Sequence, residues 1–263
     1  MNLGISGKIA LVTAASKGLG RGAAEALSAE GCRVAICART ADSVNRAAEE
    51  ISSKTGREVM GLTADMSRAS DIEALFENVR AKLGDPDIVV CNAGGPPTGN
   101  FATTTVDQFH PAIELSMLSS IRMTYIAVPA MKAKGWGRIV FITSFAVKQP
   151  IPFLILSNTA RAGLTGFMKT VAREIAATGV TVNAVLPGIH ATDRVKDAIR
   201  WRADQEHLPY QEAVDAQKAM SPMHELGDPA DFGGVVAFLC SRQAKFITGE
   251  SLLVDGGAYA GLV

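Results

Sequence analysis

Residues 9–20 read IALVTAASKGLG, an apolar run that breaks into a turn of small residues and glycine. The run Ile9–Thr13 has the length and unbroken hydrophobicity of a strand buried on both faces. Beyond the turn the pattern becomes helical over Leu19–Glu30. A strand, a tight glycine turn and a helix N-terminus together make an anion site, because unpaired N–H groups and the positive end of the helix dipole converge there. Small residues then let the backbone approach the ligand. Gly18 and Gly20 could also be plain turn residues. Their place directly after the first strand of a series favours a diphosphate cradle formed by Thr13, Ala15, Ser16, Lys17, Gly18, Leu19 and Gly20.

Outward from this turn, short apolar runs recur with helical segments between them. The expected strands are Ile9–Thr13, Arg33–Cys37, Val59–Thr63, Ile88–Cys91, Arg138–Thr143, Thr181–Val185 and Ser251–Val254. Ile72, Leu75, Phe76, Val79 and Leu83 form one apolar helical stripe, with Ser70–Glu73 reading as its capping box. Repeated β-α-β units with such apolar strands predict an α/β fold. It is a doubly wound parallel sheet of about seven strands, with helices on both faces, spanning residues 1–263 as one Rossmann domain. Ligands are then expected beyond the carboxyl ends of the strands. The segment 189–228 departs from this rhythm: it is charged, carries Trp201 and follows Pro187-Gly188, which is where a lid over the crevice would lie.

Composition narrows the possibilities. Of 263 residues, 48% are hydrophobic and 20% charged, which excludes intrinsic disorder. Lys plus Arg and Asp plus Glu are 26 each, so no global charge draws the chain to nucleic acid or to an anionic membrane. No run approaches a membrane span, and Met1–Lys8 lacks the features of a secretory signal. Cys32, Cys37, Cys91 and Cys240 show no metal-type spacing and read as reduced, packed thiols of a cytoplasmic protein.

At the end of the second strand an acidic residue would suit the ribose diol of NAD, whereas a basic one suits the additional phosphate of NADP. The sequence there is Ala38-Arg39-Thr40, and Lys17 adds a second cation on the same side. This favours NADP(H) over NAD(H). The alternative is that both cations are ordinary solvated surface charges.

At this point the chain resembles the short-chain dehydrogenase/reductase family over nearly its whole length. The resemblance is carried by Thr13…Gly18-Leu-Gly20, Asp65-Met66, Asn92-Ala93-Gly94, Ser144, Asn183-Ala-Val-Leu-Pro187-Gly188 and Gly249…Asp255-Gly256-Gly257. Within the family it is most similar to the branch containing 3-oxoacyl-[acyl-carrier-protein] reductases. The resemblance implies that Asp65 and Met66 line an adenine pocket. Asn92, Ala93 and Gly94 would support the sheet and cofactor, and Ser144 would hydrogen-bond the substrate oxygen. Pro187, Gly188, Ile189 and Thr192 would hold the nicotinamide end. It also implies dimers or tetramers formed through Val106–Lys134 and Ser157–Thr178, with Met117, Leu118, Ile121 and Tyr125 as an apolar face that could equally pack on the sheet.

The departures from the family pattern are specific. Ala14 replaces the first glycine of the turn, which is tolerable only if its φ is negative. The family's Tyr-x-x-x-Lys pair is here Ser157…Arg161, and the helical Asn aligns with Ser116; of the active tetrad only Ser144 remains. A tyrosine whose pKa is lowered by a neighbouring lysine supplies a proton well, and an unactivated serine does not. Arg161, one helical turn from Ser157, is expected to stabilise an oxyanion or reach the cofactor ribose. Lys148 and His190 are candidate substitute proton carriers, each with the plainer alternative of a surface residue. Three functions follow. The first is an NADP(H)-dependent oxidoreductase acting on a carbonyl or secondary alcohol. Phe145, Ile151, Pro152, Phe153, Leu154 and Ile155 point to a hydrophobic or acyl small-molecule substrate for it. The second is a nucleotide-binding protein with little or no redox turnover, and the third is non-redox chemistry of the halohydrin dehalogenase kind.

Overall fold

The computed structural model describes residues 2–262; the side chains of Trp201 and Gln205 lie outside what it describes. Seven strands form one sheet: β1 Ile9–Val12, β2 Arg33–Ala38, β3 Val59–Thr63, β4 Ile88–Cys91, β5 Gly137–Ile142, β6 Val180–Pro187 and β7 Ser251–Val254. All pairings are parallel, in the order β3-β2-β1-β4-β5-β6-β7. The expected strands are all present, displaced by at most two residues at an end. Strand order reverses between β1 and β4, which opens a crevice at their carboxyl ends.

The unbroken hydrophobicity of the strands follows from helices on both faces. Alternate residues of β1 serve opposite cores: Ala10 and Val12 meet Ala23 and Leu27 of α1 (Gly18–Ala29), Val44 and Ile51 of α2 (Ala41–Thr55) and Phe232 of α9 (Pro229–Cys240). Ile9 and Leu11 belong to the other core, with Ile72, Phe76 and Val79 of α3 (Ala69–Lys82), Met123 and Met131 of α5 (Ser119–Lys134) and Leu164 and Met168 of α6 (Ile155–Ile175). Helices α1 and α9 meet backbone to backbone. A Cβ at Gly22 would lie 2.1 Å from the Pro229 carbonyl oxygen, and one at Gly233 would lie 2.1 Å from that of Gly22. Each core also holds two thiols, Cys32 and Cys240 in the first and Cys37 and Cys91 in the second. All four are free and buried. Burial pushes their pKa up, to about 12 for Cys32 and Cys37.

A local expectation is corrected. The capping box at Ser70–Glu73 does not form, because α3 starts two residues earlier than that box requires, at Ala69, behind Arg68. Asp71 instead accepts the backbone N–H of Asp65 at 3.0 Å, which ties the helix start to the end of β3. The segment Val106–Lys134 is helical along its length, in four pieces. A 3₁₀ turn (Val106–Gln108) leads into α4 (Phe109–Ile113), a π turn over Glu114–Leu118, and then α5. The segment after β6 contains α7 (Asp193–Glu206) and α8 (Tyr210–Lys218), which share a small core of Ile199, Ala203 and Ala213 separate from the two main ones.

Candidate functional site

The crevice at the β1/β4 reversal is a cleft of about 880 Å³. Its floor is the turn between β1 and α1, and two strands hold that turn. Asn92, just past β4, donates its backbone N–H to Thr13 Oγ1 at 3.0 Å and its side-chain amide to the Ala14 carbonyl at 3.1 Å. Thr13 Oγ1 in turn donates to the Asn92 carbonyl at 2.7 Å. The condition placed on Ala14 is not met: its φ is +47, in the left-handed region a glycine would occupy without cost. The carbonyl anchored by Asn92 holds it there. Gly20 has no room for a side chain, since a Cβ would lie 2.6 Å from Asn92 Nδ2 and 2.8 Å from the Ala14 oxygen.

Lys17 precedes α1 without a side-chain cap, so no side chain of the turn covers the first N–H groups of that helix. An uncapped helix start behind a glycine cradle, opening on a cleft of this size, fits a dinucleotide diphosphate. Ser16, Lys17, Gly18 and Leu19 line the cleft, whereas Thr13 and Ala15 lie fully buried beneath the turn. Thr192 caps α7 by accepting the Val195 N–H at 3.4 Å, and its methyl group stands beside Gly18, closing the cleft from the opposite wall.

At one end of the cleft Lys17, Arg39 and Arg46 stand with Thr40 and Ser43. The nearby cation Arg21 is already committed to Glu25 and Glu50. Arg46 and Ser43 escaped the sequence reading. Ser43 and Arg46, three residues apart, share one side of the first turns of α2, and Arg39 lies just before the Thr40 N-cap of that helix. Asp65 and Met66 lie on the wall here, with Met66 buried. The Asp65 carboxyl is held below its ordinary range, first by the Ser67 backbone N–H and hydroxyl, then by the charges of Arg39 and Arg68.

The other end lies over the β5 terminus. Arg161 Nη1 donates to the carbonyls of Ile142 and Thr143 at 2.9 and 3.0 Å, and Nε donates to Ser157 Oγ at 3.2 Å. Both residues are buried on the inner face of α6, one helical turn apart. Burial pulls the guanidinium pKa down to about 10, and the nearby Arg194 charge acts in the same direction. Ser144 Oγ accepts the Ala146 N–H at 3.1 Å, which leaves its hydroxyl proton to donate elsewhere. Thr143, at the cleft wall, and Ser116, in the π turn, keep buried hydroxyls without a partner among the described residues. Thr143 was missed, although it directly precedes Ser144.

The remaining expected residues take other places. Asn92, Ala93, Gly94, Arg161 and Pro187 border the cleft; Gly188, Ile189, Ser144, Ser157 and Lys148 are not among the residues that line it. Gly188 is tightly packed, since a Cβ there would lie 2.6 Å from the Asp255 Cα. Lys148 Nζ lies 5.7 Å from the Tyr259 ring. His190 is buried, edge-on to Phe232 at 5.2 Å, with Nδ1 3.3 Å from the Gly188 oxygen. Its setting is that of a packing residue. Arg194, from α7, reaches over Gly95 and contacts the Pro96 carbonyl at 3.5 Å, so a cation bridges the cleft mouth near Arg161.

Comparison with known proteins places this geometry among reductases. A family model described as Enoyl-(Acyl carrier protein) reductase matches residues 13–259. The chain is 37% identical over 257 residues to the 3-oxoacyl-[acyl-carrier-protein] reductase FabG of Salmonella typhimurium, covering 98% of this chain and 99% of the relative. Among solved structures, L-sorbose reductase from Gluconobacter frateurii, complexed with NADPH and L-sorbose, superposes with a TM-score of 0.95 at 28% identity over all of both chains. Actinorhodin polyketide ketoreductase with NADPH superposes at 0.91 and 32% identity, over 97% of this chain and 98% of that one.

Proposed function

The chain belongs to the short-chain dehydrogenase/reductase family and is an oxidoreductase, and from that membership we propose that it uses NADP(H) to interconvert a carbonyl compound and a secondary alcohol with a non-standard proton supply. The observation that carries the cofactor choice is the basic end of the cleft: Lys17, Arg39 and Arg46 gather beside the end of β2, where a carboxylate would be needed for the NAD ribose. The NADPH complexes of the structural relatives support the same choice.

When bound, the nicotinamide supplies or accepts the hydride. Ser144 then donates its hydroxyl proton in a hydrogen bond to the substrate oxygen. Ser157 accepts the Arg161 Nε–H, so its own hydroxyl proton is left to donate, and the buried guanidinium beside it stabilises charge developing on the substrate oxygen. Neither group replaces a tyrosine with a tuned pKa, so the alkoxide takes its proton from water. This forgoes roughly 10²–10⁴-fold in rate relative to a tuned acid. Phe145, Ile151 and the exposed Phe153, close in sequence to Ser144 and Ser157, supply apolar surface suited to a hydrophobic or acyl substrate. The segment 189–228 acts as the lid. The Tyr125 ring, exposed and 6.3 Å from Phe167, marks a face of α5 and α6 for pairing into a dimer or tetramer.

The test is a fluorescence titration with NADPH and NADH, followed by a carbonyl panel read at the NADPH absorbance band. NADPH is expected to bind more tightly, and Arg39→Asp to reverse that preference by at least about tenfold, a charge-assisted hydrogen bond being worth that much. An unchanged preference in Arg39→Asp overturns the assignment of the phosphate site. Binding without turnover across the panel overturns the reductase mechanism.

A further inference from the structure

At the opposite rim of the sheet, where the strands begin, lies a second cavity of about 510 Å³. Its inner wall is Arg138 at the start of β5 and Thr181 at the start of β6; Trp136 lies beside them, and Arg242, Lys245 and Phe246 form the outer rim. Arg138 is 3% exposed. Nη1 donates to the carbonyls of Gly137 and Gly179 at 2.8 and 3.3 Å, and Nη2 reaches the Ser241 carbonyl at 3.5 Å. Nε has no partner among the described residues, and Arg138 joins none of the ion pairs seen there. Thr181 Oγ1, 6% exposed in the same wall, is likewise unpartnered.

A buried cation without a counter-charge is costly, and buried donors without partners are rare enough to need a reason. Two such groups in one cavity wall share a single remedy, an anion seated between them. The surroundings favour the same charge, because Arg242 and Lys245 are exposed cations at the mouth. The Trp136 ring is approached by Arg138 itself, its guanidinium at 4.5 Å, and by one further cation, Lys8 Nζ at 4.1 Å. Phe246, 98% exposed, stands at the rim with nothing packed on it in the isolated chain.

We propose that this cavity is a second ligand site, separate from the dinucleotide cleft, for a small organic anion. Both atoms are closed to solvent in the unliganded wall, so a phosphate or carboxylate would reach Arg138 Nε and Thr181 Oγ1 through a small shift of these side chains, and a flat apolar body would lie against Trp136 and Phe246. The charged head satisfies the buried donors, and the apolar body covers the exposed ring.

Trp136 supplies the readout. In a Trp201→Phe background it is the only tryptophan of the chain, and its emission should change saturably with phenyl phosphate. Inorganic phosphate, lacking the ring, should bind about tenfold more weakly, as expected for the loss of the buried apolar surface. Thr181→Val, which keeps the shape, and Lys245→Ala, on the surface, should each weaken binding by about threefold or more. Arg39→Asp should leave it unchanged. Titration calorimetry of phenyl phosphate on the unaltered chain gives the same affinity without any tryptophan replacement. No saturable signal by either method overturns the site. Binding lost in Arg39→Asp, or untouched in both Thr181→Val and Lys245→Ala, places the anion elsewhere and also overturns it. Benzoate in place of phenyl phosphate then shows which head group the wall prefers.

Discussion

Ala14 carries a side chain at φ +47, where L-residues pay about 1–2 kcal/mol. Ala14→Gly removes that strain but adds freedom to the unfolded chain, so the net expectation is a gain of roughly 0.5–1 kcal/mol. A higher urea midpoint with an unchanged slope is the result to look for. His190 sets a pH dependence. Burial lowers its pKa from 6.5, against the raising influence of the Gly188 carbonyl, Asp228 and Asp231. Below about pH 6.5 the unfolded chain therefore binds a proton that the folded chain resists, and stability falls as pH drops toward the folded value. Equilibrium unfolding of His190→Leu should show a flatter profile between about pH 7 and 5 than the parent. The sequence shows His190 near the cleft and a missing glycine at position 14. It does not show that Phe232 covers the imidazole, nor that Asn92, 78 residues away, fixes the Ala14 carbonyl. Both facts depend on contacts between segments distant in the chain.

Helices α1 and α9 are joined where Gly22 and Gly233 let two backbones touch, and α1 begins at the proposed diphosphate cradle. Gly233→Ala forces these helices apart, an overpacking that costs about 1–3 kcal/mol. Because the displacement falls on α1, NADPH affinity should drop along with the thermal midpoint; an intact affinity in a destabilised variant would uncouple the helix from the site. Most elements were legible because burial on both faces leaves a strand without alternation, and because α3 has only one apolar stripe. The start of α3 was misplaced: Ser70–Glu73 has the right residue types, but Asp71 is taken up by the backbone N–H of Asp65, which ties the helix start to the preceding loop. The π turn at Glu114–Leu118 leaves no periodic trace, since one extra residue shifts the stripe without breaking it.

On the scale of the whole molecule the two cores enclose the sheet, and α7 with α8 stands apart on its own small cluster. A segment with so little shared core opens at lower free energy than the sheet. Saturating NADPH should therefore slow hydrogen exchange across residues 193–218 by about tenfold or more, while β1 and β4 change little. Equal slowing in the strands and in this segment would mean that the cofactor stabilises the molecule globally, and would overturn the proposed lid.

The four cysteines bear on how the protein meets oxidants. Two sulfurs lie under each helical layer, none in the cleft, and all are kept as neutral thiols. Peroxides and disulfide reagents attack thiolates at a surface, so the native molecule offers them no cysteine to modify. Cysteine chemistry begins only once a layer lifts, and the identity of the first cysteine alkylated then records which side of the sheet came away first.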